Sequence, residues 1–112
     1  ILDSEEAIKE LPPDFNKLIN LEGQGLIVSA QSNEYDFVSR YFCPKYGLNE
    51  DPVTGSAHTS LIPYWSERLK SSELVAKQVS DRGGVLYCKN KDTRDLISGK
   101  AVLYMKGEIK LS

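Results

Sequence analysis

The sequence has 112 residues, a formal net charge of −2, 40% hydrophobic and 27% charged residues. That is one domain's worth of chain with an ordinary globular balance, too short for two ordinary domains and too apolar for extended disorder. The slight acidity gives no bulk electrostatic case for nucleic acid, and no apolar run nears the length of a bilayer span, so neither nucleic acid nor membrane is an expected partner.

The charge is uneven. Residues 1–70 hold 11 acids against 6 Lys/Arg, whereas residues 71–112 hold 5 against 8. The later basic residues are dispersed singly, which suits solvated strand faces better than a binding patch. Cys43 and Cys88 lack CxxC spacing and further ligands nearby, and a chain of this size does not need a disulfide. A cytoplasmic location is the expectation. The absence of a starting methionine before Ile1 suggests an upstream segment.

In chain order, Ser4 can cap a first short helix that Pro12 and Pro13 stop, and Asp14 a second over Phe15, Leu18 and Ile19. Gly23-Gln24-Gly25 ends it. Leu26-Ile27-Val28 reads as a strand and Tyr35–Phe42 as another, with both of its faces mixed and so covered on each side. Pro44 to Pro52 reads as an ordered loop, and Pro52 keeps Asp51 out of the helical region. A helix is predicted over about 55–69, bent at Pro63, with Ala57, Leu61, Trp65 and Leu69 in one stripe. Its low charge before Glu67 predicts packing on most sides, as for a central helix enclosed by sheet. Strands are then predicted at 74–80, 84–90, 93–97, 100–105 and 108–111, separated by Gly-containing or polar turns. A helix followed by a meander makes residues 1–112 a single α+β domain.

The chemistry concentrates in Gly47 to His58. A helix N-terminus offers unpaired N–H groups and partial positive charge, and Thr54, Gly55 and Ser56 would leave it open to a carboxylate. Asp51 precedes this cradle beside Glu50, whose charge is expected to raise the proton affinity of either acid. An acid beside an anion cradle suits acid–base chemistry at a carbon next to a carboxylate. The same residues also suit plain helix capping by Asp51 or Thr54, and His58 suits a packed, hydrogen-bonded role. One histidine and scattered acids assemble no metal site, and the glycines fit neither a phosphate-binding loop nor a dinucleotide fingerprint.

Asp36–Phe42, Gly47–His58 and Gln78–Gly84, with Asp51-Pro52-Val53-Thr54-Gly55-Ser56-Ala57-His58 at the centre, closely resemble the C-terminal half of the PhzF family, the phenazine biosynthesis-like proteins. The resemblance covers nearly the whole chain. It implies the diaminopimelate-epimerase-like fold, a β-roll of mostly antiparallel strands around a central helix, with a second such domain and an active site in the cleft between them. It further implies cofactor-independent isomerisation, a proton being removed and returned on a small carboxylate-bearing substrate. Asp51 would be the catalytic acid of this wall, with Thr54, Gly55 and Ser56 binding substrate. The family's main acid–base glutamate belongs to the N-terminal domain, and Glu50 does not replace it. Related racemases use one cysteine from each domain, which Cys43 and Cys88 do not match. No cofactor or metal is expected. The companion N-terminal domain is an expected partner, this domain alone is expected to be inactive, and its exposed cleft face is expected to favour a homodimer. The competing reading is a non-catalytic small-molecule-binding or interaction protein that kept the fold.

Overall fold

The computed structural model describes residues 1–112. Two short helices come first: α1 (Glu5–Glu10), whose N-cap Ser4 accepts from the Ala7 N–H, and α2 (Phe15–Leu18), capped by Asp14. The rest is β1 (Leu26–Gln31), β2 (Phe37–Cys43), a 3-10 turn at Pro44–Tyr46, β3 (Leu48–Asp51), α3 (Gly55–Leu69), β4 (Glu73–Gln78), β5 (Gly84–Asn90) and β6 (Asp95–Ser98). The six strands form one mixed sheet in the order β1-β2-β4-β5-β6, with β3 attached to β2. Only β2 and β4 run parallel; the other pairs are antiparallel.

Strand pleating assigns the two faces of the sheet. Phe37, Leu74, Ala76, Leu86 and Cys88 meet Leu61, Ile62 and Trp65 of α3 in the larger core. The Trp65 ring stacks on Phe37, 5.7 Å between centroids and 9° between planes. Its indole N–H donates to Ser29 Oγ at 2.9 Å, and that hydroxyl donates to the Val38 carbonyl, so these two buried side chains are both satisfied. The opposite face carries the smaller core, Val28, Ala30, Val38 and Phe42 against Ile8 of α1. Cover on both sides of β2 agrees with its mixed sequence.

Several expectations change. α3 runs unbroken through Pro63, and only one side of it is buried. Thr59, Ser60, Pro63, Tyr64, Glu67 and Arg68 face outward, so the helix lies against the sheet and is not enclosed on most sides. The segment Pro44–Pro52, read as loop, contains β3. Its own residues favour strand poorly, but β2 is longer than its parallel pairing with β4. β4 bonds to Phe37–Ser39, and β3 takes up the edge at Tyr41–Cys43. The strands expected at 100–105 and 108–111 are absent: residues 99–112 have no secondary structure and are exposed. A strand exists only through its ladder, and nothing in this domain pairs with them.

Candidate functional site

β3 delivers Asp51 to the start of α3, and the intervening turn is held by β4. Gln78 belongs to the core-facing series Leu74, Ala76, Gln78 and is fully buried. Its Oε1 accepts the Thr54 N–H at 2.7 Å. Its Nε2 donates to the Asp51 carbonyl at 2.7 Å and to Thr54 Oγ1 at 3.0 Å. Ser80 Oγ donates to the Pro52 carbonyl at 2.7 Å. Val53 packs over Gly84, where any Cβ would collide with the valine side chain. One amide, one hydroxyl and one missing Cβ thus fix the backbone of residues 51–54.

Thr54 Oγ1 donates to Asp51 Oδ2 at 2.5 Å. The chain of donors runs Gln78 to Thr54 to Asp51, each bond polarising the next. Thr54 is the N-cap residue of α3, yet its side chain does not cap the helix. Its hydroxyl proton is spent on Asp51, which removes the capping alternative for Thr54 and leaves the first turn without a side-chain cap. Gly55 and Ser56 are exposed there, and no atom lies within 4 Å of where a Gly55 Cβ would stand. The three residues expected at this turn therefore differ: Thr54 is buried, while Gly55 and Ser56 face solvent. An open groove of about 340 Å³ runs beside them, lined by Gly25, Tyr41, Ser56 and Ser60 among others. Burial, followed by the neighbouring Cys43, Tyr46 and Asp51, pushes the Tyr41 phenol up, so it remains a hydroxyl donor at neutral pH.

Glu50 does not share the surroundings of Asp51, as the sequence suggested it would. The pleat turns it to the opposite face, where both its oxygens bind the Arg40 guanidinium at 2.7 and 3.0 Å. Arg40 also donates to the Ile8 and Leu11 carbonyls at 3.1 and 3.0 Å, tying β2 and β3 to α1. Its own pKa is raised, chiefly by the hydrogen bond to Glu50.

His58 is fully buried against Phe37, with ring centroids 5.8 Å apart. Nδ1 lies 2.7 Å from the Thr54 carbonyl, which can only accept, so Nδ1 carries the hydrogen and Nε2 is a buried lone pair without a partner. Burial lowers its pKa and the Thr54 bond opposes this, which keeps the ring neutral. Both cysteines are free and buried. Burial first, then Asp51, raises the Cys43 thiol; burial first, then Asp95 and Asp36, pushes Cys88 up to about 11. Neither is a thiolate at neutral pH. No three His, Cys, Asp or Glu side chains gather so as to hold a metal ion, and no helix is long and apolar enough to cross a membrane.

Gln78, Ser80, Gly84 and Arg40 were not marked as site residues by sequence reasoning. The period-2 alternation did carry one signal for Gln78, a polar residue in line with Leu74 and Ala76 on the core face.

The chain is an α+β domain with a carboxylate set beside a helix start that no side chain caps. The family model of phenazine biosynthesis-like proteins matches residues 1–107, and the chain belongs to this PhzC-PhzF family. It is 52% identical over its whole length to a Pseudomonas aeruginosa protein named an uncharacterized isomerase, and spans 43% of that relative. A mouse phenazine biosynthesis-like domain-containing protein is 42% identical, matched over 96% of this chain and 39% of its own. A crystal structure of a PhzF-family protein from Enterococcus faecalis superposes with a TM-score of 0.88 at 51% identity, covering 98% of this chain and 43% of that one. The fold is therefore that of the PhzF, diaminopimelate-epimerase-like group, and the chain spans less than half the length of these relatives.

Proposed function

We propose that residues 1–112 are the C-terminal domain of a two-domain, cofactor-independent isomerase and supply one wall of its active site. In this reading Asp51 exchanges a proton with a small carboxylate-bearing substrate. Gly55 and Ser56, with the free N–H groups of the first turn of α3, hold the substrate carboxylate. Thr54 binds from beneath, fixing the Asp51 carboxylate. The companion domain brings the opposing acid–base group, because proton removal and return need groups within hydrogen-bond reach on both sides of the carbon. This domain alone is inactive, and its uncovered cleft face favours self-association. A monomer mass unchanged with concentration would count against that last point.

The observation that carries the reading is the Thr54 hydroxyl, which serves Asp51 and leaves the helix start open. The isomerase name of the Pseudomonas relative adds the reaction class. The test is isotope exchange. The two-domain protein and its Asp51→Asn variant are incubated in heavy water with small carboxylic acids, including cyclohexadiene acids, and carbon-bound deuterium is read by mass spectrometry. Exchange that falls by roughly 10²–10⁴-fold in the variant is expected for a lost acid–base group. Exchange that survives unchanged would remove Asp51 from proton transfer. Carboxylate binding with no exchange at any carbon would favour a binding protein instead.

A further inference from the structure

The groove beside the start of α3 holds one polar side chain that the proposed proton transfer does not use. Tyr41 of β2 stands directly opposite Asp51 in the ladder between β2 and β3. Residues so paired share a face of the sheet, with Cβ atoms about 5 Å apart. The phenol and the carboxylate therefore lie side by side on the α3 side. The phenol ring reaches the backbone at the start of β1. A Cβ on Gly25 would stand 2.8 Å from both Tyr41 Cε2 and its hydroxyl oxygen, and 2.5 Å from the Phe42 carbonyl. The ring is thus seated where glycine alone leaves room for it. Its hydroxyl stays protonated at neutral pH through burial and has no hydrogen-bond partner within the domain.

Across the groove, α3 presents Ser56 and Ser60, one helical turn or about 6 Å apart along the axis. Thr59 spends its hydroxyl on the Ser56 carbonyl at 2.6 Å, whereas the two serine hydroxyls are not spent in this way. Ile27 supplies an apolar patch, and no Lys, Arg, Asp or Glu lines the groove. A charged group placed there would lose hydration without gaining a counter-ion, while an uncharged oxygen would meet hydroxyl donors.

We infer that this groove takes the part of the substrate beyond its carboxylate, and that Tyr41 selects an uncharged hydroxyl or carbonyl there by donating a hydrogen bond to its oxygen. This rests on the reading of Gly55 and Ser56 as the carboxylate site. The substrate class is then a monocarboxylate with a neutral oxygen function, and a second charged group in the groove is disfavoured.

Equilibrium binding tests this without turnover. The probes are benzoate, meta- and para-hydroxybenzoate, isophthalate and terephthalate, titrated by NMR into the two-domain protein and its Tyr41→Phe variant. Shifts of the Gly55, Ser56 and Ser60 amides report where each probe sits. One hydroxybenzoate is expected to bind the native protein roughly 3–10-fold more tightly than benzoate, the factor one neutral hydrogen bond supplies. The two diacids should bind no more tightly than benzoate. In Tyr41→Phe the hydroxyl advantage should vanish, with benzoate affinity and melting temperature unchanged. A tyrosine that only packs would leave the ratio as it was, because phenylalanine keeps the ring against Gly25. The inference is overturned if neither hydroxybenzoate has an advantage, if the advantage survives in the variant, or if a diacid is preferred. Benzoate that leaves the Gly55 and Ser56 amides unmoved would overturn the carboxylate site and this inference with it, so the two failures are distinct.

Discussion

Glu50 and Asp51 are adjacent on one four-residue strand and live in opposite surroundings. Glu50 points to the α1 side, where the Arg40 guanidinium takes both of its oxygens and the α1 carbonyls complete the arginine's bonding. Asp51 points to the α3 side, with one oxygen bound by Thr54 and the other without a protein partner. The first acid is saturated and ties three elements together. The second is positioned and left unsaturated beside exposed Gly55 and Ser56. Identical chemistry one residue apart becomes scaffold in one case and, in the proposed reading, the reactive group in the other, because the pleat sends successive side chains to opposite faces.

The contrast breaks most visibly in stability. Arg40→Met strands a poorly solvated carboxylate and frees the α1 carbonyls, and should cost about 3 kcal/mol in urea unfolding. Asp51→Asn, losing one hydrogen bond at a half-exposed group, should cost under about 1 kcal/mol. Equal losses would mean that both acids are scaffold. Gln78→Leu comes next. It removes three hydrogen bonds and orphans the Thr54 N–H and Asp51 carbonyl, and about 2 kcal/mol is expected. Exchange of the Thr54 amide should rise in that variant before the sheet amides follow; uniform loosening of the sheet would make Gln78 an ordinary core residue.

The smallest effect is one of pH. Burial depresses the His58 pKa in the folded chain, so the unfolded chain binds more protons below its ordinary value of about 6.5. The stability contributed by the neutral ring is full above that value and is lost as pH falls toward the folded pKa, with a slope of at most about 1.4 kcal/mol per pH unit. Melting temperatures of the native chain and His58→Gln, compared from pH 7.5 to 5, should converge as pH falls. Parallel curves would show that His58 titrates alike in both states.

Much of this was legible in the amino-acid order because it depends on local rules. Ser4 and Asp14 mark helix starts, the four-residue spacing of Ala57, Leu61, Trp65 and Leu69 sets the buried side of α3, and the alternation in 84–90 gives β5. Asp51 and the open start of α3 were visible for the same reason, being neighbours in sequence. What the helix pattern did not show was that the outward side of α3 stays open, since low charge alone does not say whether a surface is covered.

The tertiary structure decided whatever depends on a partner distant in sequence. β3 exists because β2 has a spare edge, whereas 100–105 and 108–111, better strand formers, stay unpaired because no edge of this domain receives them. Gln78 reaches Asp51 and Thr54 across more than twenty residues, and Arg40 reaches α1 across about thirty. The sequence by itself determined which residues form helices and where the candidate site lies, through periodicity and capping. Pairing decided which carboxylate is held inert and which is left free, because hydrogen bonds between distant segments depend on where the whole chain places them.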